Sequence, residues 1–158
     1  MSAPNWLEIK SRAQSFAKEW QGEPSERAES QTFWNQFFEI FGIQRRRVAA
    51  FEAQVKKLNN NQGRIDCFWP GTLLIEHKSQ GEDLDAAYIQ AVDYFANLKD
   101  EEIPRFIIVS DFATFRLYDL DDNTHHQFKL VELHKNIERF SFILGYKKQS
   151  IREQDPVN

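Results

Sequence analysis

Two neighbouring stretches carry residues whose types and spacing could do chemistry together. Arg64-Ile65-Asp66-Cys67-Phe68-Trp69 sets an acid inside a β-favouring run, and Leu73-Leu74-Ile75-Glu76-His77-Lys78 sets Glu-x-Lys inside the next. Alternate residues of a strand share a face, so Glu76 and Lys78 point the same way. Asp66 joins them when the hairpin register has even parity, for example with Asp66 opposite Glu76 across a three-residue loop. Ionised side chains near a core are costly unless they are paired or bound to metal. Phosphodiester hydrolysis accounts for this trio. Two carboxylates hold a hard cation such as Mg²⁺, which prefers oxygen ligands and keeps several waters, and the metal activates a bound water. A lysine can orient that water and offset phosphate charge. The competing reading is a buried or cross-strand ion pair.

Other chemistry-bearing residues carry less. With 24 acids in the chain, about one or two acid-x-Lys triplets are expected by chance, and Glu8-Ile9-Lys10 is one. It lies in an amphipathic helical pattern, where residues two apart do not face each other, so it reads as plain surface. His125-His126 after Asp121-Asp122-Asn123 reads as a hairpin turn rather than a metal site. His77 falls on the face opposite Glu76 and Lys78, so its ring packs and only its main-chain carbonyl is placed to reach a metal. Cys67 alternates away from Asp66 and reads as a small buried hydrophobe. Arg45-Arg46-Arg47 reads equally as a phosphate contact or a solvated basic patch. No phosphate-binding loop or methyltransferase glycine loop is present, so neither ATP nor S-adenosylmethionine is expected to bind here.

The elements that must position the trio are legible from periodicity. Trp6, Ile9, Ala13, Phe16, Ala17 and Trp20 recur at helical spacing. Gly22-Glu23-Pro24 breaks that helix, Ser25 is the expected cap of the next, and Phe33, Trp34, Phe37, Phe38 and Phe41 give it a broad apolar face ended by Gly42. Residues 45–58 fit helix and strand equally. Asn59 to Gly63 is a turn cluster, and the runs Arg64–Trp69 and Thr72–Ser79 form a hairpin through Pro70-Gly71. Leu84 to Leu98 repeats as a helix, Phe106–Val109 and Phe115–Tyr118 read as strands, and Leu130 to Leu144 as helical. The fold class is α/β or α+β, a small mixed sheet flanked by helices.

Bulk composition bounds the rest. A chain of 158 residues fits one domain, and its 22 aromatics, fourteen of them Phe, can fill a core. A single cysteine excludes an internal disulfide framework. No apolar run approaches the roughly 20 residues of a membrane span, and the first ten residues lack the order of a signal peptide, so the expected setting is cytoplasmic with no membrane partner. The net charge of −4 argues against a stand-alone, tight nucleic-acid binder, because phosphate contacts dominate such affinity.

Asp66, a nine-residue gap and Glu76-His77-Lys78 resemble the PD-(D/E)XK nuclease motif, with Ile65 where the motif's name has Pro. Gln90-Ala91-Val92-Asp93-Tyr94 resembles the Gln-x-x-x-Tyr helix signature of RecB-like members, and implies that Gln90 steadies the active-site water, Lys78 or a phosphate. Glu29 resembles the first-helix glutamate that many members aim at the metal. Nearly the whole chain is similar to the N-terminal nuclease region of MmeI-like restriction–modification enzymes, through Phe33-Trp34-Asn35 to Phe41-Gly42-Ile43, Glu76-His77-Lys78-Ser79, Val109-Ser110-Asp111-Phe112 and Phe115-Arg116-Leu117-Tyr118. The resemblance implies a restriction-endonuclease-like core over 1–148 with a strand within Arg45–Val55, and the start of a linker over 149–158. It implies a type II, Mg²⁺-dependent (Mn²⁺ also possible) DNA endonuclease serving defence against foreign DNA. Asp66, Glu76, Lys78, Gln90 and Glu29 would be catalytic, with Asp66, Glu76, Glu29 and the His77 carbonyl at the metal. Its partners would be double-stranded DNA, bound weakly by this region alone, and methyltransferase and target-recognition domains of the same parent chain, where S-adenosylmethionine would bind. The alternative is a nuclease-like fold used only as a non-catalytic DNA- or partner-binding module.

Overall fold

The computed structural model describes residues 4–22, 29–56 and 62–145. Helix α1 (Trp6–Trp20) begins where the Asn5 side chain accepts the Glu8 main-chain N–H at 3.1 Å. It buries Ile9, Ala13, Phe16, Ala17 and Trp20, the stripe its sequence marks out. Helix α2 (Ser30–Ile40) buries Phe33, Trp34, Phe37 and Phe38, and Gly42 takes the left-handed φ of +74° just beyond its end. The cap expected at Ser25 lies outside the described residues. A 3₁₀ turn over Arg45–Arg47 leads into strand β1 (Ala50–Lys56), which settles the stretch where periodicity was undecided.

Strands β2 (Gln62–Trp69) and β3 (Leu73–His77) form the hairpin, followed by α3 (Leu84–Asp93), β4 (Phe106–Ser110), β5 (Thr114–Asp119) and β6 (Thr124–Lys129). Among the described residues six strands lie in sequence order across one sheet. Every neighbouring pair is antiparallel except β3 and β4, and that parallel pair is joined by the crossover containing α3. The described residues end with helical turns over Leu130–Glu132, α4 (Leu133–Asn136) and Ile137–Leu144. The architecture is a mixed α+β sheet flanked by helices.

Strand β6 corrects the sequence reading. His125 and His126 were expected in a turn, but they pair with Tyr118 and Leu117 on an edge strand. Only Phe128 of β6 is buried, so the apolar alternation that marks a strand is nearly absent there. Likewise Gln62 and Gly63 belong to β2, not to the preceding turn; residues 59–61 lie outside the described residues.

The sheet has two unequal faces. One carries an aromatic core in which α1, α2 and the C-terminal turns pack on Cys67, Leu73, Ile75, Phe115 and Phe128. The other carries a smaller core under α3, with Phe68, Leu74, Leu84, Ala87, Ala91, Tyr94, Ile107 and Val109. The sharp turn into β3 rests on Gly71, whose φ is +77° and whose missing side chain leaves room for the Glu101 carbonyl, 2.9 Å from where a Cβ would sit. Phe37 joins the aromatic core across four segments, with ring centroids 6.1 Å from Phe16, 5.2 Å from Trp34, 5.8 Å from Phe115 and 5.3 Å from Phe140. Phe37→Ala should therefore cost about 3–5 kcal/mol of folding stability, read as a lower urea midpoint at unchanged slope.

Candidate active site

The Pro70-Gly71-Thr72 loop sets the register of the hairpin: Trp69 faces Leu73, Phe68 faces Leu74 and Cys67 faces Ile75. The next step along that register sets Asp66 beside Glu76, but the ladder stops there. The main-chain N–H of His77 instead donates to Oδ2 of Asp66 at 2.7 Å. On its other side β3 continues along β4, with His77 facing Ser110 and the Lys78 N–H donating to the Ser110 carbonyl at 2.8 Å.

The β1–β2 ribbon turns over at this point. Phe51 and Cys67, paired across the ribbon, pack on the aromatic core. Ala53 and Ile65, two residues further along each strand, also pair but pack on the core under α3. Untwisted strands would keep residues two apart on one face. Glu52 and Asp66 lie between these pairs, and Glu52 has a φ of +52°, an uncommon backbone state for a residue other than glycine. The turnover opens a cleft of about 560 Å³ between α2, the β1–β2 ribbon, the end of β3 and α3.

Asp66, Glu76, Lys78 and Gln90 all line this cleft, together with Ser30, Gln31, Glu52, Arg64 and Glu82. Glu76 is 2% exposed. Lys78 Nζ donates to Oε1 of Gln90 at 2.8 Å, Gln90 Nε2 donates to the Tyr94 hydroxyl at 3.3 Å, and that hydroxyl donates to the Arg64 carbonyl at 2.8 Å. The chain begins at an ammonium, which only donates, and ends at a carbonyl, which only accepts. Its direction therefore fixes which end of the Gln90 amide faces Lys78. Burial raises the pKa of Asp66, against the lowering effects of the His77 N–H and the Lys78 charge, and the charge of Glu52 raises it further. A cation beside this carboxylate would reverse that balance. Among the described residues no group of three or more His, Cys, Asp or Glu side chains is placed to share a metal. The donor set at Asp66 and Glu76 is two carboxylates, which fits a cation such as Mg²⁺ that commonly uses one or two and keeps waters.

Other candidates fall elsewhere. Glu29 immediately precedes α2 and makes no side-chain cap, and it is not among the residues lining the cleft, although the next two residues are. Sequence reasoning passed over Glu52 and Arg64. Arg64 shares strand parity with Asp66, a usable signal, whereas the placement of Glu52 depends on its left-handed backbone. Cys67 is buried, and desolvation pushes its thiol up to about 12. The His77 ring lies on the aromatic side, 4.3 Å from Phe112 and 5.7 Å from Phe33 between centroids. Its Nδ1 accepts from Trp34 Nε1 at 3.0 Å, so the neutral ring carries its hydrogen on Nε2, a buried atom with no hydrogen-bond partner among the described residues.

The sequence model of the family described as MmeI, N-terminal domain, matches residues 11–158. No match was found among curated proteins. Among solved structures, the chain is similar to one titled "cryoEM structure DrdV-DNA complex", at 15% identity and a TM-score of 0.49, over 81% of this chain and 14% of that one. The chain thus spans about one-seventh of that protein's length. Among the described residues no helix is long and apolar enough to cross a membrane.

Burial lowers the His77 pKa from 6.5 to about 4. The unfolded chain then binds the proton more readily than the folded one. His77's contribution is complete above pH 6.5 and is lost as pH falls from 6.5 towards 4, on the order of 3 kcal/mol. His77→Gln keeps an acceptor for Trp34 but cannot titrate. Urea unfolding at several pH values should show a shallower loss over that window in the variant, and equal slopes would place the linkage elsewhere.

Proposed function

This chain belongs to the MmeI N-terminal domain family, and from that premise we propose that it is a metal-dependent DNA endonuclease domain that hydrolyses phosphodiester bonds. The observation that carries the proposal is the meeting of Asp66, Glu76 and Lys78 in one cleft, with Lys78 held by Gln90. A buried ion pair would satisfy Lys78 with a carboxylate. Here its hydrogen-bond partner is an uncharged amide, which orients the ammonium, while its charge acts on Asp66 and would also face a phosphate entering the cleft.

Asp66 and Glu76 would hold the cation, Mg²⁺ or Mn²⁺. When bound, it supplies polarisation of the phosphate and a bound water of lowered pKa. Lys78 has three donor hydrogens, of which Gln90 takes one; the others can meet a phosphate oxygen or orient the attacking water. Tyr94 and the Arg64 carbonyl fix Gln90, so the lysine is presented from α3 on a short chain of hydrogen bonds rather than swinging free. The expected Gln-x-x-x-Tyr signature would then be a device for aiming one ammonium group.

The wider role follows from the family. We propose a type II restriction endonuclease acting in defence against foreign DNA in the cytoplasm, with methyltransferase and target-recognition domains in the same parent protein. S-adenosylmethionine would bind only in the methyltransferase part. With 24 acidic against 20 basic side chains, the cutting region carries little attraction for DNA of its own, and tethering beside recognition domains would supply the local concentration.

Two measurements test this reading. Supercoiled DNA should be nicked in Mg²⁺ by the protein carrying this chain. Asp66→Ala should abolish nicking, and Lys78→Ala should lower its rate by about two orders of magnitude or more, in the range of lost electrostatic catalysis. Mg²⁺ or Mn²⁺ should also raise the melting temperature of the wild type, because a ligand that binds only the folded state stabilises it, and Asp66→Ala should lose that increment. Equal metal shifts in both proteins would locate binding elsewhere.

A further inference from the structure

We propose that Arg64 and Gln31 form a subsite for a second backbone phosphate of the nucleic-acid strand, and that the Glu52 carboxylate fills this subsite until the strand displaces it. The inference rests on the reading of the cleft as a phosphodiester-cleaving site.

Glu52 is held by both carboxylate oxygens. Arg64 Nη1 donates to its Oε1 at 2.9 Å, and Gln31 Nε2 donates to its Oε2 at 3.3 Å. The three residues come from β2, α2 and β1 and line the cleft that also holds Asp66 and Lys78. A guanidinium and a carboxamide converging on two oxygens of one anion are the donors that also hold a phosphate. Glu52 reaches them from a left-handed backbone, so the contact exists at the cost of a disfavoured conformation.

The position suits a phosphate neighbouring the one at the catalytic trio. Arg64 and Asp66 are two residues apart on one strand, about 7 Å along it, comparable with the step between successive phosphates of a strand. The Arg64 and Glu52 side chains are 62% and 55% exposed, and exposed ion pairs contribute little net stability, so a phosphate with two free oxygens can take the place of Glu52. In the free protein the contact neutralises an arginine of the cleft, which fits the weak DNA binding proposed above for this region from its net charge of −4.

The test is binding of a labelled duplex near physiological salt, with Ca²⁺ replacing Mg²⁺, by wild type, Glu52→Gln, Arg64→Ala, the double variant, and Glu82→Gln. Glu82 lines the same cleft, so its variant reports the effect of removing any one negative charge there. Glu52→Gln should bind several-fold tighter than both wild type and Glu82→Gln, Arg64→Ala should bind more weakly than wild type, and the double variant should show no gain over Arg64→Ala alone. The proposal is overturned if Glu52→Gln binds no tighter than wild type or Glu82→Gln, including no measurable binding by any of them, or if the gain survives loss of Arg64. Mg²⁺-dependent nicking judges the cleavage reading separately. Nicking that needs Asp66, with no gain from Glu52→Gln, rejects the subsite alone. An Arg64-dependent gain without any nicking supports the subsite and rejects cleavage.

Discussion

His77 gives its main-chain hydrogen bond to the carboxylate of Asp66 at 2.7 Å, where regular antiparallel pairing would give it to a main-chain carbonyl. An unmet N–H at a buried strand end is costly, so some acceptor is obligatory at this position. Using a side chain allows β2 to leave β3 without that penalty, and β2 can then turn over with β1. The cleft follows from the parting of these strands. Were the ladder to continue through Asp66, the carboxylate would not be tied to the end of β3 and the space beside Glu76 would close.

The two faces of the sheet divide the work around this point. On the aromatic side, Phe33, Trp34 and Phe112 enclose the His77 ring, and the Trp34 indole fixes its tautomer. That packing anchors the residue between Glu76 and Lys78, so the backbone carrying both is held from behind. On the opposite side, α3 supplies Gln90, the 3₁₀ turn that follows it supplies Tyr94, and the cleft rim formed by α2 and β1 is left open. Rigidity is concentrated behind the trio, and exposed, replaceable contacts such as Arg64–Glu52 lie in front of it. The proposed endonuclease function would benefit from that arrangement, because geometry would be kept at the trio and access kept where a strand would enter.

The charge distribution has the same logic at larger scale. Acidic side chains outnumber basic ones, and several of the acids line the cleft. Carboxylates there are useful to a cation and repellent to a phosphate. Under the proposed function metal and nucleic acid would be coupled ligands: the cation would remove the repulsion that the strand would otherwise meet.

Local pattern was enough to read the order of most elements, the aromatic stripes of α1 and α2 and the hairpin loop. The even-parity register that sets Asp66 beside Glu76 was one of the registers left open and was decided by the strand pairing. The legible features follow from periodicity and turn chemistry, which act over a few residues. Strand β6 was not legible, because an edge strand with one buried side chain carries almost no alternation and is held by its pairing with β5. The stretch around β1 was equally undecided, since its hydrogen bonds come from a partner strand. The trio and the Gln90 helix were visible as residue types at telling spacings, but spacing could not say that Lys78 meets Gln90, that Glu29 stays off the cleft wall, or that Glu52 turns into it. Those outcomes depend on the twist of two strands about Asp66, and twist is set by what packs on each face. That is a property of the assembled sheet and its helices, and no short stretch of the chain encodes it alone.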